Sequence, residues 1–339
     1  MPETADILEN SVLQASPELL STLLKDHTTS RGDAVCNIFW ATSDYEHLGE
    51  GYGYHDLILP ELITGANGQV IMPRVLKHKD TQSARVRDMA EVFTPAWVCN
   101  AQNNLIDEAW FGRKDVFNTE YTSEGGTHGW KANPEKISFP EGKTWKDYVR
   151  DTRLEITCGE APYIVSRYDN TTGAVIPLSD RIGLLDRKLR VVSENTGTSG
   201  EWLEAAQEVY KSLYAYEWQG DSLLIARESM LASFVEYYRA KFGKDPLAKS
   251  VNYIAYIISW NVWQMDGLKG VVPNSCHDRV EMSTDLFGET TRTVTACEGC
   301  RTDNIFRHNG TYCLIKDWRG KDPQTGRKGK RIRYIDLLK

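Results

Sequence analysis

The segment Arg153-Leu154-Glu155-Ile156-Thr157-Cys158-Gly159-Glu160-Ala161-Pro162-Tyr163 reads as a short strand, a tight turn and the start of a new element. Leu154 and Ile156 alternate with polar neighbours, as a half-buried strand requires. Gly159 ends the strand because glycine takes φ > 0 without steric cost. Glu160 follows at once, and open α/β sheets bind ligands just beyond the carboxyl ends of their strands. Alone, the segment is an ordinary strand-to-loop junction. The flanking chain changes that reading.

The same grammar recurs downstream. Leu213 to Trp218 reads as a strand ending in an acid, Glu217. A long helix follows from Asp221 to Phe242, with Leu224, Ala226, Met230, Leu231, Phe234 and Tyr238 on its apolar side. An apolar, aromatic run from Val251 to Trp260 leads into Asn261 to Asp266, a strand that again ends in an acid. Trp202 to Tyr210 has the pattern of an amphipathic helix. Strand, polar turn and helix in alternation predict an α/β sheet with sites at its strand ends.

Upstream, leucines at helical spacing predict a helical segment over residues 1–35, followed by a strand over Cys36 to Ala41. Alternation around Gly65-Ala66-Asn67-Gly68 predicts a hairpin from Ile63 to Lys79. Pro95 suits the first turn of a helix with Thr94 as its N-cap, and such a terminus favours anionic groups. Residues 111–150 read as a loop-rich connector. Tyr168 to Asn195 begins with turn chemistry, Asp169-Asn170-Thr171-Thr172-Gly173.

The chain has 339 residues, 41% of them hydrophobic, and a net charge of −7. That length predicts about two domains, and that charge excludes phosphate binding over the whole surface. From Lys316 to Lys339 nine Lys/Arg stand against three Asp, a net of +6 that leaves −13 on the rest. This tail reads either as a contact for phosphate or an acidic partner, or as a solvated basic end. No apolar run approaches the roughly 20 residues of a membrane span. The polar start Met1-Pro2-Glu3-Thr4 and seven cysteines, an odd number, point to a reducing, cytoplasmic setting.

Four pieces then stand in order: Phe93-Thr94-Pro95, Cys158-Gly159-Glu160, Tyr216-Glu217 and Met265-Asp266-Gly267-Leu268. Together they resemble the S-adenosylmethionine half of adenine-N6 DNA methyltransferases of restriction–modification systems, types I and IIG above all. The likeness covers about residues 85–270. It implies a Rossmann-like α/β fold in which Phe93, Thr94 and Pro95 contact the methionine end of the cofactor. It places Glu155, Cys158, Gly159 and Glu160 under the methionyl group and Glu217 on the ribose hydroxyls. Asp266, with Leu268, then faces the adenine amine. Carboxylates suit hydroxyl and amine donors, and a cationic cofactor suits an acidic pocket. Ala226-Arg227 also resembles the family's Ile-Ala-Arg helix.

The chain departs from the family in two ways. Glu160 and Glu217 lie 57 residues apart, so the resemblance requires an insertion over Tyr168 to Asn195. The family's Asn/Asp/Ser-Pro-Pro-Tyr/Phe tetrapeptide, which holds and stacks the flipped adenine, is absent. A rival reading makes Glu160, Pro162 and Tyr163 a degenerate version of it. The implied function is a cofactor-binding subunit that needs DNA and a second methylase or restriction subunit carrying the catalytic motif. The alternative is a non-catalytic DNA- or partner-binding protein with a vestigial methyltransferase fold.

Cys297-Glu298-Gly299-Cys300 has the spacing of a zinc knuckle, with Cys276 and His308 to complete four N/S ligands. Cys313 or His277 are substitutes, and two reduced thiols in a surface loop are the plain alternative. The chain thus divides into a helical and hairpin segment (1–84), a cofactor domain (85–272) and a Cys/His module with a basic tail (273–339). Most of its tryptophans read as core residues.

Overall fold

The computed structural model describes residues 5–7, 9–77, 94–284, 290–323 and 325–339. Helices α1 (Glu9–Ala15) and α2 (Pro17–Leu24) lead into a hairpin of β1 (Lys25–Arg31) and β2 (Ala34–Asn37). The helical segment therefore ends eleven residues before the predicted boundary. Asp26 explains the change: its carboxylate accepts from the Thr28 and Thr29 backbone N–H groups, which competes with helix. Past β2 the chain runs on irregularly, with Ile38 bonded back to Leu24 and Trp40 to Asp56.

The predicted hairpin does not form over 63–77. Pro60–Ile63 is a helical turn (α3), and Gly65–Asn67 and Arg74–Leu76 are tight 3-10 turns. Ile63 and Ile71 enter the main core singly, so no strand face is needed to bury them.

Helix α4 (Ala96–Phe111) is followed by the hairpin β3 (Asn118–Thr122) and β4 (His128–Ala132), then α5 (Trp145–Arg150). The expected loop-rich connector thus carries one hairpin and one short helix between its loops, and a Thr144/Asp147 capping box starts α5. Beyond it, β5 (Arg153–Glu155) is followed by α6 (Leu184–Asn195) and α7 (Ser199–Lys211). Next come β6 (Leu213–Glu217), α8 (Gly220–Phe242), α9 (Ala248–Asn261) and β7 (Val262–Gln264).

These last three strands form one parallel sheet with β6 in the middle. Each crossover carries two helices, which accounts for the long separation between Glu160 and Glu217. The stretch read as an insertion includes α6, and Leu185, Leu189, Val191 and Val192 of α6 lie in the core.

The sheet divides two apolar clusters, as strand alternation dictates. Leu213, Ala215 and Val262 face the helices and the main core. Tyr216 and Trp263 face the other way and pack with Met265, Val272, Cys313, Ile315, Tyr334 and Ile335. The C-terminal segment supplies most of that second cluster. It comprises the hairpin β8 (Arg279–Thr284) and β9 (Thr290–Thr295), the short helix α10 (Glu298–Thr302), and the hairpin β10 (Leu314–Lys321) and β11 (Lys328–Arg333). Among the described residues no helix is long and apolar enough to cross a membrane.

Buried cations tie the core together. Arg227 on α8 donates to the carbonyls of Leu23, Lys25, Ser259 and Val262, joining the N-terminal hairpin to the sheet. Arg187 on α6 pairs with Asp107 at 2.6 Å and also bonds Asn100 and Asn104. Tyr148 donates to the other Asp107 oxygen at 2.9 Å. Both members of the pair have side chains only 1% exposed, so neither has water to replace a lost partner. Arg187→Met is therefore expected to destabilise the fold by about 3–5 kcal/mol, because it strands a buried carboxylate. Urea unfolding checks this, and Asp107→Leu added to Arg187→Met should recover most of the loss. A single variant within about 1 kcal/mol of the parent contradicts the pairing.

Candidate functional site

The carboxyl ends of β5, β6 and β7 bring three predicted acids to one rim of the sheet. Glu217 ends β6. Its Oε2 accepts from the Gly159 N–H at 2.7 Å and its Oε1 from Gln219 N–H at 3.2 Å. Glu155 ends β5 and accepts from the N–H groups of Ile164, at 3.1 Å, and Tyr163. Burial, with Glu217 nearby, pushes its carboxyl up to about 8. Asp266 follows β7, with one oxygen bonded to the N–H groups of Leu268 and Lys269 and the other 3.6 Å from the Lys269 ammonium. Leu268 is 90% exposed, so its side chain packs on no described element.

The turn joining β5 to this rim is strained. Thr157, Gly159 and Ala161 all have positive φ, at 45°, 54° and 59°. Glycine accepts this readily, but a β-branched threonine does so at a cost. Such conformations cluster at functional sites, where surrounding contacts hold them. Here the bonds from Gly159 to Glu217 and from Cys158 N–H to the Tyr216 carbonyl fix the turn against β6. Cys158 is buried below it.

Glu160 turns away from the rim. It is buried and accepts from Arg74 N–H at 2.6 Å and from the Tyr168 hydroxyl at 2.5 Å. Burial raises its pKa, with those two bonds opposing. Lys77 and Asp221 lie close to it, paired with each other at 2.9 Å, and the Tyr45 hydroxyl donates to Asp221 at 2.8 Å. This network spans residues 45–221 in sequence, and no motif announces it.

Thr94 lies near Tyr163, whose N–H bonds Glu155 at the rim, and Phe93 falls outside the described residues. The Tyr163 hydroxyl lies close to Thr94 and Cys99. Pro95, not Thr94, occupies the N-cap of α4, and no side chain of its own caps the helix. Asp169 takes that place, accepting from Ala96 N–H at 2.8 Å. Burial alone pushes the Asp169 carboxyl up, but its bonds from Thr171, Ala96 and Thr172 outweigh that and hold it low. The α4 terminus faces a carboxylate of this chain. The turn at 169–173 was legible as a turn but not as a cap for a helix 73 positions away.

A second cluster lies in the C-terminal segment. The Cys276 thiol is 3.4 Å from that of Cys297, 3.6 Å from that of Cys300 and 3.4 Å from His308 Nδ1. His308 Nδ1 is 3.7 and 3.6 Å from the Cys297 and Cys300 sulfurs. A tetrahedral zinc at ordinary bond lengths separates S from S by about 3.8 Å and S from N by about 3.5 Å. All four donor atoms lie within 4.8 Å of one another, so the group has the composition and spacing to hold a metal ion. Gly299 is required within it, since a Cβ there would sit 2.6 Å from His308 N. Cys313 belongs to the apolar cluster under the sheet and is not part of the group.

No known family model matches this chain. Curated proteins and solved structures give no match either.

The Glu155 environment has a measurable signature. The folded chain holds that proton up to about pH 8, whereas an unfolded chain releases it near about 4.3. Folding therefore binds a proton across that window, and the contribution of Glu155 to stability falls as pH rises through it. Glu155→Gln, which cannot titrate, should gain stability relative to the parent between pH 5 and pH 8. Paired urea titrations read the difference. A constant difference across the window removes the assignment.

Proposed function

We propose that this chain is the S-adenosylmethionine-binding part of a DNA adenine-N6 methyltransferase of a restriction–modification system, working with a second chain that grips the adenine. The observation that carries this reading is the placement of Glu155, Glu217 and Asp266 at the carboxyl ends of three neighbouring parallel strands. Ligands of open α/β sheets bind at that rim. The donor set fits the cofactor's chemistry. Glu217, oriented by two backbone bonds, suits paired ribose hydroxyls, and Asp266 suits an exocyclic amine. Glu155 and the strained turn at Gly159 suit the methionyl end, where a bound cation would draw the buried Glu155 carboxyl into its ionised form, with Thr94 and Tyr163 alongside. When bound, the cofactor supplies an electrophilic methyl group. This chain's part is to orient it and to keep water from it.

The Cys276, Cys297, Cys300 and His308 group is proposed to hold a zinc ion of structural kind, since its four N/S donors close the coordination sphere. DNA is the proposed substrate, reached mainly through the second chain, because the body of this one repels phosphate.

Calorimetric titration with S-adenosylmethionine tests the reading. Glu217→Ala and Asp266→Ala should each weaken binding by about 1.5–3 kcal/mol, the value of a hydrogen bond to a charged group. Glu201→Ala is the control. Glu201 completes a capping box with Thr198 on α7, so its loss costs about 1 kcal/mol of stability and leaves affinity unchanged. Equal affinities for all three variants, or no heat from the parent at high protein concentration with and without DNA, sink the assignment.

A further inference from the structure

The parallel sheet stops at β5. One edge of β5 pairs with β6, and no described strand pairs with the other. Arg153 N–H bonds the Ser212 carbonyl on the β6 side. Alternation then turns the Leu154 N–H and C=O outward, along the open edge. Leu154 on this edge and Ile156 in the bend just past it are 44% and 61% exposed. Folded proteins blunt an open edge with charge, proline or a covering element. Here two apolar side chains stand on it or just past it instead.

Beside this edge, between the sheet and the C-terminal hairpin, lies a cavity of about 620 Å³. Leu154, Tyr214, Trp263 and Tyr334 give it an apolar wall. Lys211, Lys316, Arg319 and Lys328 ring it, against Glu208 and Asp317. Four cations against two anions make it a positive patch on a chain of net charge −7.

We propose that a different protein docks on this surface, adding a strand to the β5 edge and laying an apolar element with Asp/Glu flanks into the basic groove. Unpaired backbone groups are recognised by a strand, with alternate side chains setting specificity. Leu154 and Ile156 call for apolar partners, and the cations call for acidic ones. A second copy of this chain fits poorly, because two-fold pairing of β5 edges sets the two basic grooves side by side. The partner's identity as the second chain of the enzyme rests on the two-chain reading above; the surface itself rests on the edge and the groove.

The test co-expresses the tagged full chain with the reading frames flanking its gene and follows the purified assembly by hydrogen exchange. A second chain should be recovered at fixed stoichiometry, and the outward amides of Leu154 and Ile156 should exchange at least tenfold more slowly in the complex. Ile156→Lys, and Arg319→Glu with Lys328→Glu, should each weaken the assembly at least tenfold. Leu105→Ala, also exposed and apolar but on α4, should not. Unchanged thermal melts of the variants alone keep folding defects apart from docking defects. Failure to recover a second chain, protection at another surface, or a dimer of this chain that Ile156→Lys dissociates overturns the proposal. Cofactor titrations on the same variants separate the two readings. Docking at this edge by a chain that binds no S-adenosylmethionine keeps the surface and removes the methyltransferase. Cofactor binding with no partner at the edge does the reverse.

Discussion

The purified chain, free of host methylases, is expected to transfer no labelled methyl group to duplex DNA on its own. An adenine amine is a poor nucleophile unless acceptors hold it in line with the methyl carbon while an aromatic ring stacks on the flipped base. The tetrapeptide that does this in the family resembled is absent. In its rival, Glu160 to Tyr163, the residue that would accept from the amine is turned inward. Glu160 is buried, with its oxygens bonded to Arg74 N–H and to the Tyr168 hydroxyl. Tyr163 is only half-buried and its hydroxyl lies beside Thr94 and Cys99 at the start of α4, so no donor of this segment stands next to an accessible acceptor on Glu160. Loss of one positioned hydrogen-bonding group in an active site costs about 10²–10³ in rate, and here the whole grip is missing. Mixing with the second chain should restore transfer from below detection to full turnover. Robust adenine methylation by this chain alone, abolished in Tyr163→Ala with cofactor binding intact, would falsify the two-chain reading and make Glu160–Tyr163 the active site.

What was legible in the sequence is local. The strands at 153 and 213 and the acids at the rim follow from alternation and from polar residues placed after short apolar runs. So do the long helix after Glu217 and the four metal-type ligands, which sit within 33 positions of one another. Contacts between distant segments were not legible. Arg187 finds Asp107 across 80 positions, and Asp169 caps a helix 73 positions before it. Neither residue type nor spacing signals such a pair. Alternation also has a limit that Leu154 and Ile156 expose. It says that two residues share a face, not whether anything covers that face. In β6 the same pattern buries Tyr216, because β10 and β11 lie over it. At the edge strand nothing in the described chain does.

Removing the metal should produce the largest energetic change of any treatment, and a local one. Structural zinc contributes on the order of 10 kcal/mol to the folding of the small units it closes. The reason here is the poverty of the surrounding core. The β8–β9 hairpin exposes Val280, Met282 and Val294, and every residue of β9 is exposed. A two-stranded ribbon whose described side chains are exposed is at best marginal in water. Cys276 and Cys297 stand at its two ends, so an ion held by both would staple the ribbon closed. The second apolar cluster is separate from them. Met265, Val272, Cys313, Ile315 and Ile335 pack against the sheet without any of the four ligands. Protein never exposed to chelator should therefore carry about one zinc per chain. Stripping it, or making Cys297→Ser, should open residues 276–312 to proteolysis and hydrogen exchange. The melting of the main core should shift little, because its apolar contacts do not pass through this loop. Two results bear against this account in different ways. Metal analysis that finds no zinc removes the site. Zinc present, with the whole chain unfolding on its removal, keeps the site and means that the C-terminal cluster cannot stand on the sheet without it.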